Sequence, residues 1–144
     1  MIYALATLMA LATPPQMEIA HVATIEHGGA PVSATYRADV DVTTRQIGMA
    51  AGSRASTQRC LWAARIGVIR EIGRANSGTI SQRIDGEKVL KGSRPGSCAA
   101  LTQQIEREVE TQSAAVRSHV IDVAQRDEGS LRRDLQNMGA LALS

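Results

Sequence analysis

The sequence predicts an α+β fold: an antiparallel sheet of four to five strands, then a long C-terminal helix packed on one face and a short final helix. Three observations predict it. Up to Lys91 the apolar residues tend to recur at every second position, and from Cys98 at every third or fourth. The two regimes meet at Val89–Cys98, where Gly92, Pro95 and Gly96 stop a strand and Ser97 can cap a helix. The two cysteines, Cys60 and Cys98, lie in a strand candidate and at that helix start, where a bond would tie sheet to helix.

The chain opens with Met1–Ala12, an uncharged and mostly apolar run closing in Ala10-Leu11-Ala12. The run is too short to span a membrane, and its small-x-small ending fits a secretory leader cut after Ala12. No Lys or Arg precedes the apolar run, which departs from the usual leader. The expected organisation is a leader of 1–12 and one domain of 13–144, with its sheet at 17–92 and helices at 98–127 and 130–140. The mature chain has no later stretch able to span a membrane. The expected location is periplasmic or secreted, the alternative being cytoplasmic.

Met17–Glu26 reads as a first strand, and His27-Gly28-Gly29-Ala30-Pro31 as a turn, Gly-Gly offering the positive φ that tight hairpins need. Val32–Thr43 alternates without exception: Val32, Ala34, Tyr36, Ala38, Val40 and Val42 on one side, polar residues on the other. Such a strand has one wet face. Arg59–Ile72 puts Cys60, Trp62, Ala64, Ile66 and Val68 on one face. Its phase then breaks at Ile69-Arg70, with a bulge expected near Gly67. Thr79–Ile84 and Glu87–Lys91 read as two further strands joined at Asp85-Gly86, a strong hairpin signal.

Beyond the junction, Leu101, Ile105, Val109, Gln112, Val116, Val120 and Val123 step by three or four residues, a nearly straight helical stripe. A helix from Cys98 to Asp127 would be about 45 Å long. It must cross the sheet diagonally or project beyond it. Gly129-Ser130 is the expected break, followed by a short helix carrying Leu131, Leu135 and Met138.

Aromatic residues make up 2% of the chain, so the core rests on Val, Ile, Leu and Ala, and a covalent staple becomes more useful. A Cys60–Cys98 disulfide would close a loop of about 38 residues and stabilise by about 4 kcal/mol on the chain-entropy model. The net charge of +2, without interleaved aromatics, gives no basis for a nucleic-acid partner. Residues 1–97 hold 11 basic and 7 acidic side chains, residues 98–144 hold 5 and 7, so the halves differ in sign. The basic residues gather around the third to fifth strands. Arg65, Arg83, Lys88, Lys91 and Arg94 form the candidate binding patch.

No phosphate-cradling glycine motif, nucleophile elbow, H-E-x-x-H or C-x-x-C occurs, so no cofactor, no metal and no catalysis are expected. His21, His27 and His119 are scattered and read as structural. Asp39 and Asp41 read as a solvated face and Trp62 as a core anchor. The expected function is a small exported, disulfide-stapled, non-catalytic domain that binds a protein or cell-envelope component. The alternative is a carrier of a small apolar ligand between sheet and helix, where Ala34, Ala38 and Ala64 would leave room.

Overall fold

A computed structural model describes residues 17–50, 52, 56–74 and 78–142. The leader expected at 1–12 lies outside these residues. Four strands, β1 (Ala20–His27), β2 (Ala30–Ile47), β3 (Arg59–Arg74) and β4 (Gly78–Pro95), form one antiparallel sheet in the order β1-β2-β3-β4. Two helices follow, α1 (Cys98–Thr111) and α2 (Ser113–Ala142). The architecture is α+β, as the change of period predicts.

The β1–β2 turn uses Gly28 and Gly29 at φ 61° and 80°, the paired positive values of a two-residue hairpin loop. The alternation of β2 appears as register: Ala34, Tyr36, Ala38, Val40 and Val42 stand opposite Ile72, Arg70, Val68, Ile66 and Ala64 of β3. These positions face the helices. The opposite face is polar and solvated, with exposed pairs such as Arg37–Glu71 at 2.9 Å.

Two expected element boundaries and one expected break of phase give way. Asp85-Gly86 turns no hairpin, and β4 runs unbroken from Gly78 to Pro95. β3 is long enough to pair with both apolar segments, so Asp85, Gly86 and Glu87 bulge out opposite the single residue Gly67. The bulge adds two residues, an even number, so Ile84 and Leu90 keep the same face. Gly86 takes φ 122°, and its carbonyl accepts from His119 Nε2 of α2 at 2.7 Å. The expected bulge near Gly67 is therefore present, with the extra residues on the opposing strand.

β3 also keeps its phase through Ile72. Arg70 does not break the alternation; it occupies an inward position and is 2% exposed.

The helix breaks at Gln112 rather than at Gly129-Ser130. Gln112 has φ −95° and ψ 17°, its N–H turns back to Val109, and its carbonyl accepts from Ala115 and Val116. The Thr111 hydroxyl donates to the Glu108 carbonyl at 2.6 Å, an alternative to helical bonding that bends helices. The break lets α1 lie over β3 while α2 crosses toward β1 and β2. Gly129 stays helical because its position faces solvent while both flanks are anchored: Leu131 and Leu135 are buried, and Asp127 and Asp134 both bind Arg70.

The core has two parts. The larger joins Tyr36, Ile66 and Val68 of the sheet to Val116, Val120, Val123, Leu131 and Leu135 of α2. The smaller joins Cys60, Trp62 and Ala64 of β3 to Leu101, Ile105 and Val109 of α1. Every apolar member of the predicted stripe is buried.

Candidate functional site: a groove between the second strand and the first helix

The site arises from a mismatch in length. β1 pairs only with residues 30–37 of β2, and one further bond joins Ala38 N–H to the Ile19 carbonyl at 2.9 Å. From Asp39 to Ile47, among the described residues, that side of β2 has no strand beside it. Backbone groups alternate sides along a strand. Since Ala38 N–H faces β1, the N–H and C=O groups of Val40, Val42, Thr44 and Gln46 face the open edge.

The helix layer leaves the same stretch uncovered. Cys60 and Cys98 form a disulfide with their Cα atoms 4.9 Å apart, which fixes the start of α1 over β3. Ser97 accepts a bond from Ala100 N–H as the N-cap, and Gln46 Oε1 accepts from Cys98 N–H. Leu101, Ile105 and Val109 then pack on Trp62 and Ala64 of β3. Cover on the inner face of β2 fades along its length: Ala34 and Tyr36 are 0% exposed, Val42 38%. A groove of about 370 Å³ remains between the strand and α1. Ala38, Val40, Val42 and Thr44 line it on the strand side, Thr102, Ile105 and Val109 on the helix side, with Met17 also in the lining. Its charged lining is acidic: Asp39, Glu106 and Glu110. Asp39 pairs with Arg83 at 2.7 Å, whereas Glu106 and Glu110, one helical turn apart, join no ion pair among the described residues.

A second polar constellation lies in the larger core. Arg70 donates from Nη1 to Asp127 Oδ2 at 2.6 Å and from Nη2 to Gln82 at 2.9 Å, and Nη2 also binds Asp134. The Tyr36 hydroxyl donates to the same Asp127 oxygen at 2.9 Å. Burial, then the bond to Asp127, pushes the Tyr36 hydroxyl well above the usual tyrosine range, so it stays protonated. Burial alone would lower Arg70, but Asp134 and Asp127 offset this and its pKa is raised. The cluster is organised as a buried ion pair: Asp127, 7% exposed, is tied to the one arginine that compensates it. Arg70 Nε and Trp62 Nε1 are buried without a hydrogen-bond partner among the described residues.

The five residues of the candidate patch do not share a face. Arg65, Lys91 and Arg83 lie on the solvated face, where Arg83 spans Gly67 to reach Asp39 and Arg65 stands 4.0 Å from Glu87. Lys88 and Arg94 lie on the helix side, and Arg94 bonds Glu108 of α1 at 2.6 Å and Gln104 at 3.3 Å. The histidines are equally dispersed: His21 faces α2 beside a cavity of about 170 Å³, His27 ends β1, and His119 contacts Gly86. Among the described residues no group of three metal-ligating side chains occurs, and no helix is long and apolar enough to cross a membrane.

Sequence reasoning missed the groove and the buried pair. The pair had a signal. Arg70 continues the even-numbered apolar series of β3, and Asp127 continues the stripe Val120, Val123, Leu131; opposite charges each stand at a core position. The groove had a weaker one, since the alternation of β2 outlasts any partner β1 could provide. Comparison with protein-family models, with curated proteins and with solved structures finds no match.

Proposed function

We propose that this chain is a small exported, disulfide-stapled, non-catalytic domain that binds a protein or cell-envelope component through the groove between β2 and α1. The observation that carries the reading is the groove itself. An apolar floor, a strand edge without a neighbour and two carboxylates without an ion pair, both among the described residues, meet where sheet and helix cover stop. The apolar residues of this face on β3 are fully buried, whereas along β2 the cover falls away to Val42, 38% exposed, and an apolar stretch left half-covered beside a groove fits a surface completed by something else. The disulfide supports an oxidising compartment, where such bonds persist.

A second reading, carriage of a small apolar ligand, draws on Ala38, whose small side chain helps to open the groove. Ala34 and Ala64 instead lie under full cover.

The test is made on the full chain produced in a bacterial host and fractionated. The expected result is a mature N-terminus at Thr13, no free thiol in the native protein, and a photo-crosslinker at Val42 that captures a partner which one at Val22, on the solvated face, does not. An unprocessed precursor in the cytoplasm, with two free thiols and no adduct specific to Val42, would contradict the reading. An apolar dye that is bound at the groove in place of any protein adduct would favour the carrier.

A further inference from the structure

The geometry points to the form of the partner: we infer that the groove takes an extended peptide of about seven residues, added as a strand to the free edge of β2, with apolar and basic side chains alternating on its inner face. The inference rests on the binding reading above and specifies the ligand class.

The backbone supplies the first half of the recognition. Val40, Val42, Thr44 and Gln46 present N–H and C=O groups to one side over a nearly straight run, and no described strand meets them there. Long open edges are templates for pairing, and proteins blunt them with lysines and bulges. β4, the other edge of the sheet, carries both devices: Lys88, Lys91 and the bulge at Asp85–Glu87. The free part of β2 carries neither lysine nor bulge, and its ladder with β3 is regular from Ala34 to Ile47.

The side chains supply the second half. A strand laid along this edge turns every second residue toward the helix layer, into the groove beside Val40, Val42 and Ile105. Apolar side chains fill that floor. Glu106 and Glu110 stand four residues apart on α1, a like-charge spacing that costs a helix a few tenths of a kcal/mol. A Lys or Arg on the incoming strand relieves that repulsion, running its methylenes along the apolar floor while its charge reaches the carboxylates. The groove lining contains no cation to compete.

The experiment uses a capped seven-residue peptide with valine, lysine, valine and lysine on one face and threonine on the other. Its control carries glutamate in place of lysine. Both are titrated into the full chain, and backbone amide exchange is followed residue by residue. The expected result is salt-sensitive binding of the lysine peptide, slowed exchange at Val42, Thr44 and Gln46, and affinity about tenfold weaker both for the glutamate peptide and for the doubly substituted Glu106→Gln/Glu110→Gln chain. Both glutamates are exposed, so the double variant is expected to fold, and its melting curve checks this. Equal affinity for the two peptides, or an unchanged affinity after the double substitution, would overturn the inference. So would slow exchange at Val42, Thr44 and Gln46 before any peptide is added. In that case the edge is already covered, by residues 1–16 if sedimentation finds a monomer and by a second copy if it finds a dimer. A protein adduct at Val42 without binding of the lysine peptide leaves the binding domain standing and removes strand addition.

Discussion

At one end of β3, Cys60 fastens the sheet to α1 with a covalent bond; ten residues along, Arg70 fastens it to α2 with charge. Both residues point inward and both are nearly or fully buried. The environments differ. The α1 end is the smaller cluster, with three apolar helix residues on Cys60, Trp62 and Ala64. The α2 end has a broad apolar seam and does not depend on its ion pair for bulk burial. Each device suits its own environment. A disulfide needs two residues and acts largely by limiting the unfolded chain, so it suits an end with little area to bury. A buried pair needs every partner satisfied and adds little net stability. What it does here is fix α2 in one position, since Asp127 and Asp134 sit two turns apart and meet a single guanidinium.

The largest effect is expected at Arg70. Arg70→Ala leaves Asp127 buried without its cation and is expected to cost about 3–5 kcal/mol, measured by denaturant unfolding. A loss below about 1 kcal/mol would mean that the cluster is not the fastening described. Removing the disulfide by Cys60→Ala with Cys98→Ala is expected to cost about 4 kcal/mol. The two losses should add within about 0.5 kcal/mol if the ends are independent.

Tyr36→Phe sharpens the charged end alone. It deletes a hydrogen bond to a carboxylate and is expected to cost about 1.5–3 kcal/mol at neutral pH. The pH dependence has a definite sign. The folded-state pKa of Tyr36 is raised, so its contribution is complete below the unfolded tyrosine value near 10 and declines as pH rises above it. Stability of the parent chain should therefore fall more steeply above about pH 10 than that of Tyr36→Phe.

The smallest expected effect tests whether α2 is continuous. Gly129 is helical, and a Cβ there would meet nothing within 4 Å. Gly129→Ala should therefore stabilise by about 1 kcal/mol. A helix that ended at Gly129 would lose stability instead.

The same contrast explains what could be read from the sequence. The alternation of β2 and the helical stripe are legible because each is a periodic signal carried by one segment, and the disulfide because the chain has two cysteines and they allow one pairing. The two expected boundaries that are absent and the one that was not foreseen depend on partners remote in the chain. Asp85-Gly86 has hairpin chemistry, but the length of β3 makes it a bulge. Gly129-Ser130 has stop chemistry, but Arg70, more than fifty residues away, holds both sides of it. Gln112 carries no breaker, and the break there follows from the separate seats of α1 and α2. The basic residues divide for a related reason: composition groups Arg65, Arg83, Lys88, Lys91 and Arg94, while pleat parity places them on two faces.

Amide exchange with and without reductant shows whether the two ends are fastened independently. On reduction of the native protein, the amides of Leu101–Val109 in α1 should lose protection while those of Val116–Leu135 in α2 keep theirs. Loss of protection in both helices together, or in neither, would contradict independent fastening.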